Sequence, residues 1–457
     1  MNLRGKSVGI LGMARSGLAA AKLVKQRGGI PFVSDHASSE RLATAAKELE
    51  SHSIDYETGK HILDILSKKN LIVLSPGVSI QDPFVRNLIQ SEIEVISELE
   101  LAYRCLECPI IAVTGTNGKT TTVALIAHIL TQAGIPNASA GNIGKPLSAV
   151  VEHLHRDDWA VVEVSSFQLE ASPTFRPKIA AILNVTPDHL DRHGTFEHYL
   201  ELKQQIFRNQ TNGDTLVYNA DDPVVTKMIH GAKSKKVGFA LKSNQAWATI
   251  ISDQIVLKEN GHEIPVMLVS EIPIPGAHNV ENVLAAVACT NSIGVQLETI
   301  REGIRSFKGV EHRLEAVGTF HGVRWVNDSK ATNVESGITA LKAMSPPIIL
   351  LAGGRAKMED YARAIPYFAN RVKSVIAFGE AGSMLETTWG SSVELHRVGG
   401  LQDAVALAAK LAQEGDTVLL SPMGSSFDEF QDFEDRGYQF KQWVKMMCSA
   451  VSSPDRV

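Results

Sequence analysis

One pattern recurs along this chain: a short run of aliphatic and β-branched residues, a break rich in Gly or Ser, then an apolar segment at helical spacing. Ser7–Leu11 leads through Gly12-Met13-Ala14-Arg15-Ser16-Gly17 into an Ala/Leu-rich helix that stops at Gly28. A second strand over residues 31–35 ends on Asp35, and Leu71–Leu74 runs into Ser75-Pro76-Gly77. Further on, Ile110-Ile111-Ala112-Val113 precedes a Gly-rich loop. The helix after it carries Val123, Leu125, Ile126, Ile129 and Leu130 on one face and stops at Gly134 and Pro136. Strands over residues 323–326, 348–351, 375–378 and 418–420 each open into a loop of Gly, Ser, Asp or Lys. Continuous apolar strands alternating with helices predict parallel sheets covered on both faces, with ligands at the carboxyl ends of the strands. Beyond Asp214 the pattern shortens and becomes strand-rich, around residues 215–218 and 255–257, and does not set a sheet order.

At 457 residues the chain has room for about three domains, with breaks expected after residues 98 and 309. The predicted segments are therefore 1–98, 99–309 and 310–457. Hydrophobic residues make up 44% and charged residues 21%, as in ordinary globular proteins. A net charge of −5 argues against a bulk electrostatic grip on nucleic acid or an anionic membrane. No apolar run approaches the roughly 18 residues of a spanning helix, and Arg15 interrupts the first one too early for a signal peptide. Cys105, Cys108, Cys289 and Cys448 form no disulfide framework at this size. Reduced thiols and a cytoplasmic location are expected.

The strongest chemical signal is Thr114-Gly115-Thr116-Asn117-Gly118-Lys119-Thr120-Thr121. Between a strand and a helix, the backbone N–H groups of such a loop converge on one point and favour an anion there. Lys119 adds charge for the β- and γ-phosphates, and the Thr120 hydroxyl is placed for Mg²⁺. Val113 stands where the common phosphate-loop pattern has Gly. The first segment carries a weaker signal. Gly12, Ala14 and Gly17 occupy a G-x-G-x-x-G frame, but the methyl group of Ala14 disfavours a close dinucleotide fit. The plain alternative is a tight strand–helix turn; Asp35 is the candidate ribose or base contact, and a second, non-redox nucleotide moiety fits this segment better than NAD.

Two further segments bear on metal chemistry. Glu163 lies in the buried-looking run Trp159-Ala160-Val161-Val162-Glu163-Val164 and needs a partner or a cation. His189 follows the strand-like Ile182-Leu183-Asn184-Val185. Lys203 falls on the same helical face as Phe196, Tyr199, Leu200, Ile206 and Phe207. Desolvation favours a neutral amine, and a neutral amine adds CO₂ to give a carbamate. Spacing alone favours the plainer reading, a packed stem with its head in water. The residues also leave open a phosphate-loop motor or transport ATPase, and an NAD-dependent oxidoreductase.

Together the motifs resemble the Mur ligases, ATP-dependent amide-forming ligases of peptidoglycan precursor synthesis. They are the phosphate loop, Gly141-Asn142-Ile143-Gly144, Glu163-Val164-Ser165-Ser166-Phe167-Gln168-Leu169-Glu170 and Asp188-His189-Leu190-Asp191-Arg192-His193-Gly194. The match continues through His278-Asn279-Val280-Glu281-Asn282, His312-Arg313, Asn327-Asp328-Ser329-Lys330-Ala331-Thr332-Asn333 and residues 420–437. The resemblance implies an α/β fold of three domains. N- and C-terminal Rossmann-like parallel sheets would flank a central phosphate-loop ATP-binding domain.

The resemblance also implies roles. Gly115, Thr116, Asn117, Gly118, Lys119, Thr120, Thr121, Asn279, Asn282, Arg313 and Asp328 would bind ATP. Thr120, Glu163, His189 and a carbamylated Lys203 would hold Mg²⁺, as two ions. Lys119, His189, Lys203 and Lys330 would be catalytic. Arg15, Ser16, Asp35, Ser75, Gly77, Asn142 and His189 would bind the UDP-linked substrate, UDP-N-acetylmuramoyl-L-alanine. Thr332, Lys357, Ser426 and Phe433 would bind D-glutamate, with Arg355 as an alternative cation to Lys357. His36-Ala37 departs from a Thr-Arg pair found in some members, and Gly353-Gly354-Arg355-Ala356-Lys357 departs from a Gly-Gly-Asp-Gly-Lys form. No nucleic-acid partner or membrane insertion is implied, and a monomer is expected.

Overall fold

Strands that are apolar on both faces have to be covered on both faces, and three mostly parallel sheets meet that requirement here. The structure is a computed structural model and describes residues 1–450 other than Ser39, Arg41 and Ile143. Ile143 of the Gly-Asn-Ile-Gly motif and the side chains of Asp191 and Cys448 thus lie outside the described residues. Contacts group Met1–Ile272 with Val280–Phe307 as one unit, and Pro273–Asn279 with the chain from Lys308 as a second.

In the first unit, β1 (Ser7–Leu11), β2 (Ile30–Asp35), β3 (Asp55–Thr58), β4 (Leu71–Leu74) and β5 (Glu94–Ser97) form a parallel sheet of order β3-β2-β1-β4-β5. The order reverses between β1 and β4, so the loops after those strands flank a crevice. Ser75 closes it from one side, its Oγ donating to the Gly12 carbonyl at 3.3 Å. Gly12 takes a φ of +98°, and a Cβ at Gly17 would overlap the Gly12 carbonyl oxygen. The turn into the helix Arg15–Gln26 therefore requires both glycines, while Ala19, Ala20 and Ala21 let that helix approach the sheet closely.

The same unit holds a nine-stranded sheet made of β6 (Ile110–Thr114), β7 (Asn137–Gly141), β8 (Trp159–Glu163), β9 (Ile179–Ile182), β10 (Thr215–Asn219), β11 (Lys235–Phe239), β12 (Ala248–Ile251), β13 (Gln254–Glu259) and β14 (His262–Leu268). Its order is β14-β13-β12-β11-β10-β9-β6-β8-β7. β6 through β12 pair in parallel, and β12, β13 and β14 finish the sheet as an antiparallel meander. β6 lies between β8 and β9, so the loop that follows it opens beside the ends of both neighbours. Two strand ends differ from the sequence expectation. β9 stops at Ile182, which frees Asn184 and Val185 to cross the phosphate loop, and β8 stops at Glu163 itself.

In the second unit, β15 (Glu315–Phe320), β16 (Val323–Asn327), β17 (Ile348–Gly353), β18 (Val372–Phe378), β19 (Leu395–Arg397) and β20 (Thr417–Met423) follow the order β15-β16-β20-β17-β18-β19. Only β15 is antiparallel within that sheet. β16, β17 and β20 are adjacent, so their three following loops emerge together at one edge. Among the described residues, no helix is long and apolar enough to cross a membrane.

Candidate functional site

The phosphate loop is built by backbone constraint. Gly118 caps the helix Lys119–Gln132 in the left-handed region at φ +87°, where a Cβ would overlap Asn282 Oδ1. Asn184 braces the opposite side. Its carbonyl accepts from Thr116 N at 3.0 Å, its Oδ1 accepts from Asn117 N at 2.8 Å, and its Nδ2 donates to Asn117 O at 3.2 Å. Thr116 Oγ1 donates to Thr186 O at 3.0 Å and lies 3.2 Å from the Tyr199 hydroxyl. Lys119 Nζ donates to the Gly115 and Thr116 carbonyls, both at 2.9 Å, so the ammonium is held over the loop. Thr121 is buried on the helix behind it.

At the end of β8, Glu163 is only 2% exposed. Its Oε2 accepts from Thr120 Oγ1 at 2.7 Å and its Oε1 from Asn142 Nδ2 at 3.2 Å. Among the described residues it has no ion-pair partner. Two hydrogen bonds to a charged carboxylate contribute about 1.5–3 kcal/mol each, the same order as the several kcal/mol that burying it costs, and a cation beside it would add to them. No group of three or more His, Cys, Asp or Glu gathers among the described residues. A cleft runs from Thr120 and Glu163 along Val123, Ala127 and Lys145.

Lys203 lies on the other flank of the loop, on the helix Phe196–Arg208, whose buried face is Tyr199, Leu202, Lys203, Ile206 and Phe207. Phe196 and Leu200, expected on that face, are partly buried and pack against the same core, and Leu202 joins them. The head group does not reach water: Lys203 is 2% exposed. Its Nζ lies 3.0 Å from Gly115 O, 3.4 Å from Thr114 Oγ1 and 4.6 Å over the Tyr199 ring. Burial, reinforced by the Lys119 charge, holds its pKa well below the ordinary lysine value. Desolvation thus shifts the balance toward the neutral amine relative to an exposed lysine.

His189 sits at φ +52°, 5.0 Å from the Phe167 ring and with 48% of its side chain exposed. The adjoining His193 was not singled out by sequence reasoning, although it stands in the same motif. Its Nε2 lies 3.0 Å from Ser166 Oγ, its ring stacks on Phe167 at 4.9 Å, and burial lowers its pKa to about 4. His193 is thus a neutral brace for the His189 turn. Arg192, also missed, donates to Gly77 O at 3.3 Å and pairs with Glu170 at 3.1 Å. It ties the loop after β4 to the central sheet.

At the first sheet, Arg15 and Ser16 open the helix after β1, and Ser75 and Gly77 follow β4. Asp35 accepts from Met13 N at 2.7 Å and from Ala37 N at 2.8 Å, joining the loops after β1 and β2. The structure therefore brings the nucleotide-like residues of the first segment to one edge, and Asn142 joins Glu163 at the next sheet.

The remaining candidates divide between the two units. Asn282 Oδ1 accepts from Thr122 Oγ1 at 3.3 Å in the first. Asn279, whose Nδ2 donates to Pro275 O at 2.6 Å, belongs with Arg313 and Asp328 to the second. Asp328 is buried, and desolvation pushes its carboxyl up to about 7 against the pull of Arg313. It accepts from Ser421 Oγ at 2.9 Å and from Leu314 N at 3.2 Å. The Arg313 Nε is buried without an acceptor among the described residues, as an anion-binding group would be.

The loops after β16, β17 and β20 carry Lys330 and Thr332, Arg355 and Lys357, and Ser426 respectively. They are cross-tied. Met423 N donates to Ala331 O at 2.8 Å, and Arg355 and Ser425 exchange both backbone hydrogen bonds. The Tyr361 hydroxyl joins Lys357 N to Met423 O, each at 3.1 Å. Lys330 Nζ lies 5.7 Å from the Phe433 ring. Arg355 is held bidentately by Glu380 at 2.9 and 3.0 Å, so its guanidinium already faces a carboxylate.

Three family models match in chain order. They are the Mur ligase MurD-like N-terminal domain over residues 6–97, the Mur ligase middle domain over 113–290, and the Mur ligase glutamate ligase domain over 312–424. A UDP-N-acetylmuramoylalanine–D-glutamate ligase of Acidobacterium capsulatum is 43% identical over 97% of each chain. One of Alkaliphilus oremlandii is 41% identical over 97% of this chain and 99% of its own. Two solved structures share the fold. The UDP-N-acetylmuramate-alanine ligase MurC of Thermotoga maritima has a TM-score of 0.61 at 20% identity, covering 97% of this chain and all of its own. The MurF ligase of Thermotoga maritima in complex with ADP has a TM-score of 0.61 at 14% identity, covering 92% and 96%.

One outcome follows from the loop geometry. Gly118→Ala is expected to keep its circular dichroism spectrum yet lose more than about tenfold in ATP affinity by calorimetry, because Asn282 blocks a side chain there. Unchanged affinity would detach this loop from the nucleotide.

Proposed function

This chain belongs to the Mur ligase family, and we propose that it joins D-glutamate to UDP-N-acetylmuramoyl-L-alanine in peptidoglycan precursor synthesis, in the cytoplasm. The observation that carries the reading is the pair of buried groups flanking one phosphate loop, Glu163 with Thr120 on one side and Lys203 on the other. The full-length relatives named for this reaction supply the substrates. A division at residues 98/99 and 309/310 into substrate, ATP and amino-acid domains is part of the same proposal.

The substrate carboxylate is a poor acyl donor. One of its oxygens attacks the γ-phosphorus of ATP, the bond to the β-phosphate oxygen breaks, and ADP leaves with an acyl phosphate formed. The D-glutamate nitrogen then attacks the acyl carbon, a proton is lost from nitrogen, and phosphate departs with the original carboxylate oxygen. Lys119 and the loop amides offset charge on the transferring group, which is chiefly positioning plus electrostatics. Thr120, Glu163, His189 and a carbamylated Lys203 would hold Mg²⁺, two ions in all, which neutralise phosphate charge when bound. Asn142 and His189 face the muramoyl end of the substrate, and Arg15, Ser16, Asp35, Ser75 and Gly77 its UDP end. Asn279 and Asn282 read adenine, with Arg313 at the γ-phosphate side and Asp328 at the ribose.

Thr332, Lys357, Ser426 and Phe433 receive D-glutamate, and Lys330 acts at the reacting end. Lys357 takes precedence over Arg355 because Glu380 already engages that guanidinium. Each acceptor carboxylate needs charge-assisted hydrogen bonds once out of water. With UDP-N-acetylmuramoyl-L-alanine and ATP, D-glutamate is expected to be used, and L-glutamate, D-alanine and diamino acids to be poor by about tenfold or more in kcat/KM. Comparable efficiency with L-glutamate or a diamino acid would move the chain to a sister ligase.

Lys203 is expected to carry the carbamate, its amine nitrogen bonded to the carbon of CO₂ with release of one proton. Because its pKa is lowered, the neutral amine and hence the adduct persist to lower pH than on an exposed lysine, whose pKa is about 10.4. In ¹³C-bicarbonate, a carbamate resonance at neutral pH that weakens on acidification and vanishes in Lys203→Arg is the expected result. The same resonance in Lys203→Arg, or none in the unaltered protein, would refute the assignment.

A further inference from the structure

Arg436 is fully buried, and among the described residues it makes no ion pair. It stands in the first turn of the helix Phe433–Ala450, where the aligned peptide dipoles disfavour a cation. A guanidinium out of water at the wrong end of a helix, attracted by the Asp428, Glu429 and Asp328 charges but directly paired with none of them, has to be held by the hydrogen bonds its geometry makes. Burial holds its pKa down at about 10, so it stays charged at neutral pH.

Its donors show where that geometry goes. Nε donates to Ser329 Oγ at 3.0 Å, one terminal nitrogen to Ser329 O at 2.8 Å, and the other to Gly424 O at 3.1 Å. Ser329 Oγ in turn donates to Phe433 O at 2.8 Å. Ser329 immediately precedes Lys330 after β16, and Gly424 lies two residues before Ser426 after β20. The third loop is held by exclusion: Gly354, at φ +92°, passes so close that a Cβ there would lie 2.9 Å from the Arg436 terminal nitrogen. One planar fork thus stands at the crossing of all three loops that carry the acceptor residues. A lysine ammonium keeps the charge but lacks the fixed fork that matches three acceptors.

We propose that Arg436 is the positioning residue of the amino-acid pocket. It sets the spacing of Lys330, Thr332 and Ser426 through Ser329 and Gly424, without itself touching the acceptor. The inference rests on the acceptor pocket assigned above. Small displacements of groups that position a substrate cost rate and affinity together, even where the fold survives.

Steady-state kinetics of the full chain test this with Arg436→Lys. The expected result is a rise in the acceptor KM of roughly tenfold or more with a lower kcat, while the KM values for ATP and the UDP-linked substrate stay within about twofold. Ser329→Ala is expected to raise the acceptor KM more modestly, and the double variant to fall short of the product of the two effects. An unchanged acceptor KM in Arg436→Lys would overturn the proposal. A parallel rise in all three KM values with a lower Tm would also do so, since it marks a merely structural role. If Arg436→Lys does not fold, a normal acceptor KM in Ser329→Ala counts against the proposal by itself. The acceptor is identified first on the unaltered enzyme. Should that be an amino acid other than D-glutamate, the substrate assignment fails, and the Arg436 variants are read against the KM of the acceptor actually used.

Discussion

Two ionisable side chains held out of water beside one turn of backbone are the constraint on which the proposed chemistry rests. Glu163 at the end of β8 and Lys203 on the helix Phe196–Arg208 lie on opposite flanks of the loop Gly115–Gly118, and neither is exposed by more than 2%. A buried carboxylate favours a cation, and a buried lysine favours its neutral amine. The proposed metal at Glu163 and the proposed carbamate on Lys203 both depend on that same exclusion of water. The loop between them, fixed by Gly118 in the left-handed region and by the Asn184 brace, already presents its amides to an anion.

The second unit solves a related problem with different means. Its proposed acceptor residues lie on three loops that have to keep a common spacing, and loops cannot bury hydrophobic mass enough to hold themselves. Parallel pairing of β16, β20 and β17 places the loops side by side. Backbone bonds between Arg355 and Ser425, and between Met423 and Ala331, then fasten them in pairs, with the Arg436 fork beneath. Parallel sheets deliver functional loops to one edge in both units, and the specific chemistry comes from what ties those loops together.

How much of this was legible in the sequence differs by element. Short apolar runs such as Ile110-Ile111-Ala112-Val113, rich in β-branched residues and ended by Gly or Ser, favour a buried strand over a helix, so β1, β4, β6, β17 and β20 could be read directly. The phosphate loop was legible because its glycines answer a backbone demand. The meander β12–β14 was not, since short strands of mixed character do not encode which neighbour they join. Lys203 defeated spacing altogether. Whether a lysine head snorkels or stays buried depends on the Gly115 carbonyl and the Tyr199 ring, which are distant in sequence or invisible to a hydrophobic pattern. The choice between Arg355 and Lys357 likewise turned on Glu380, 25 residues away. Arg436, one arginine among acidic neighbours on a helix, carries no sequence signal of burial at all.

In the proposed reaction the terminal phosphate of ATP activates the carboxylate at this loop. A substrate labelled with ¹⁸O at both carboxylate oxygens reports on that step. Each turnover is expected to deliver one labelled oxygen to inorganic phosphate, seen by the isotope shift in ³¹P NMR, with ADP as the nucleotide product. Label appearing in AMP, or phosphate released without label while amide forms, would contradict it.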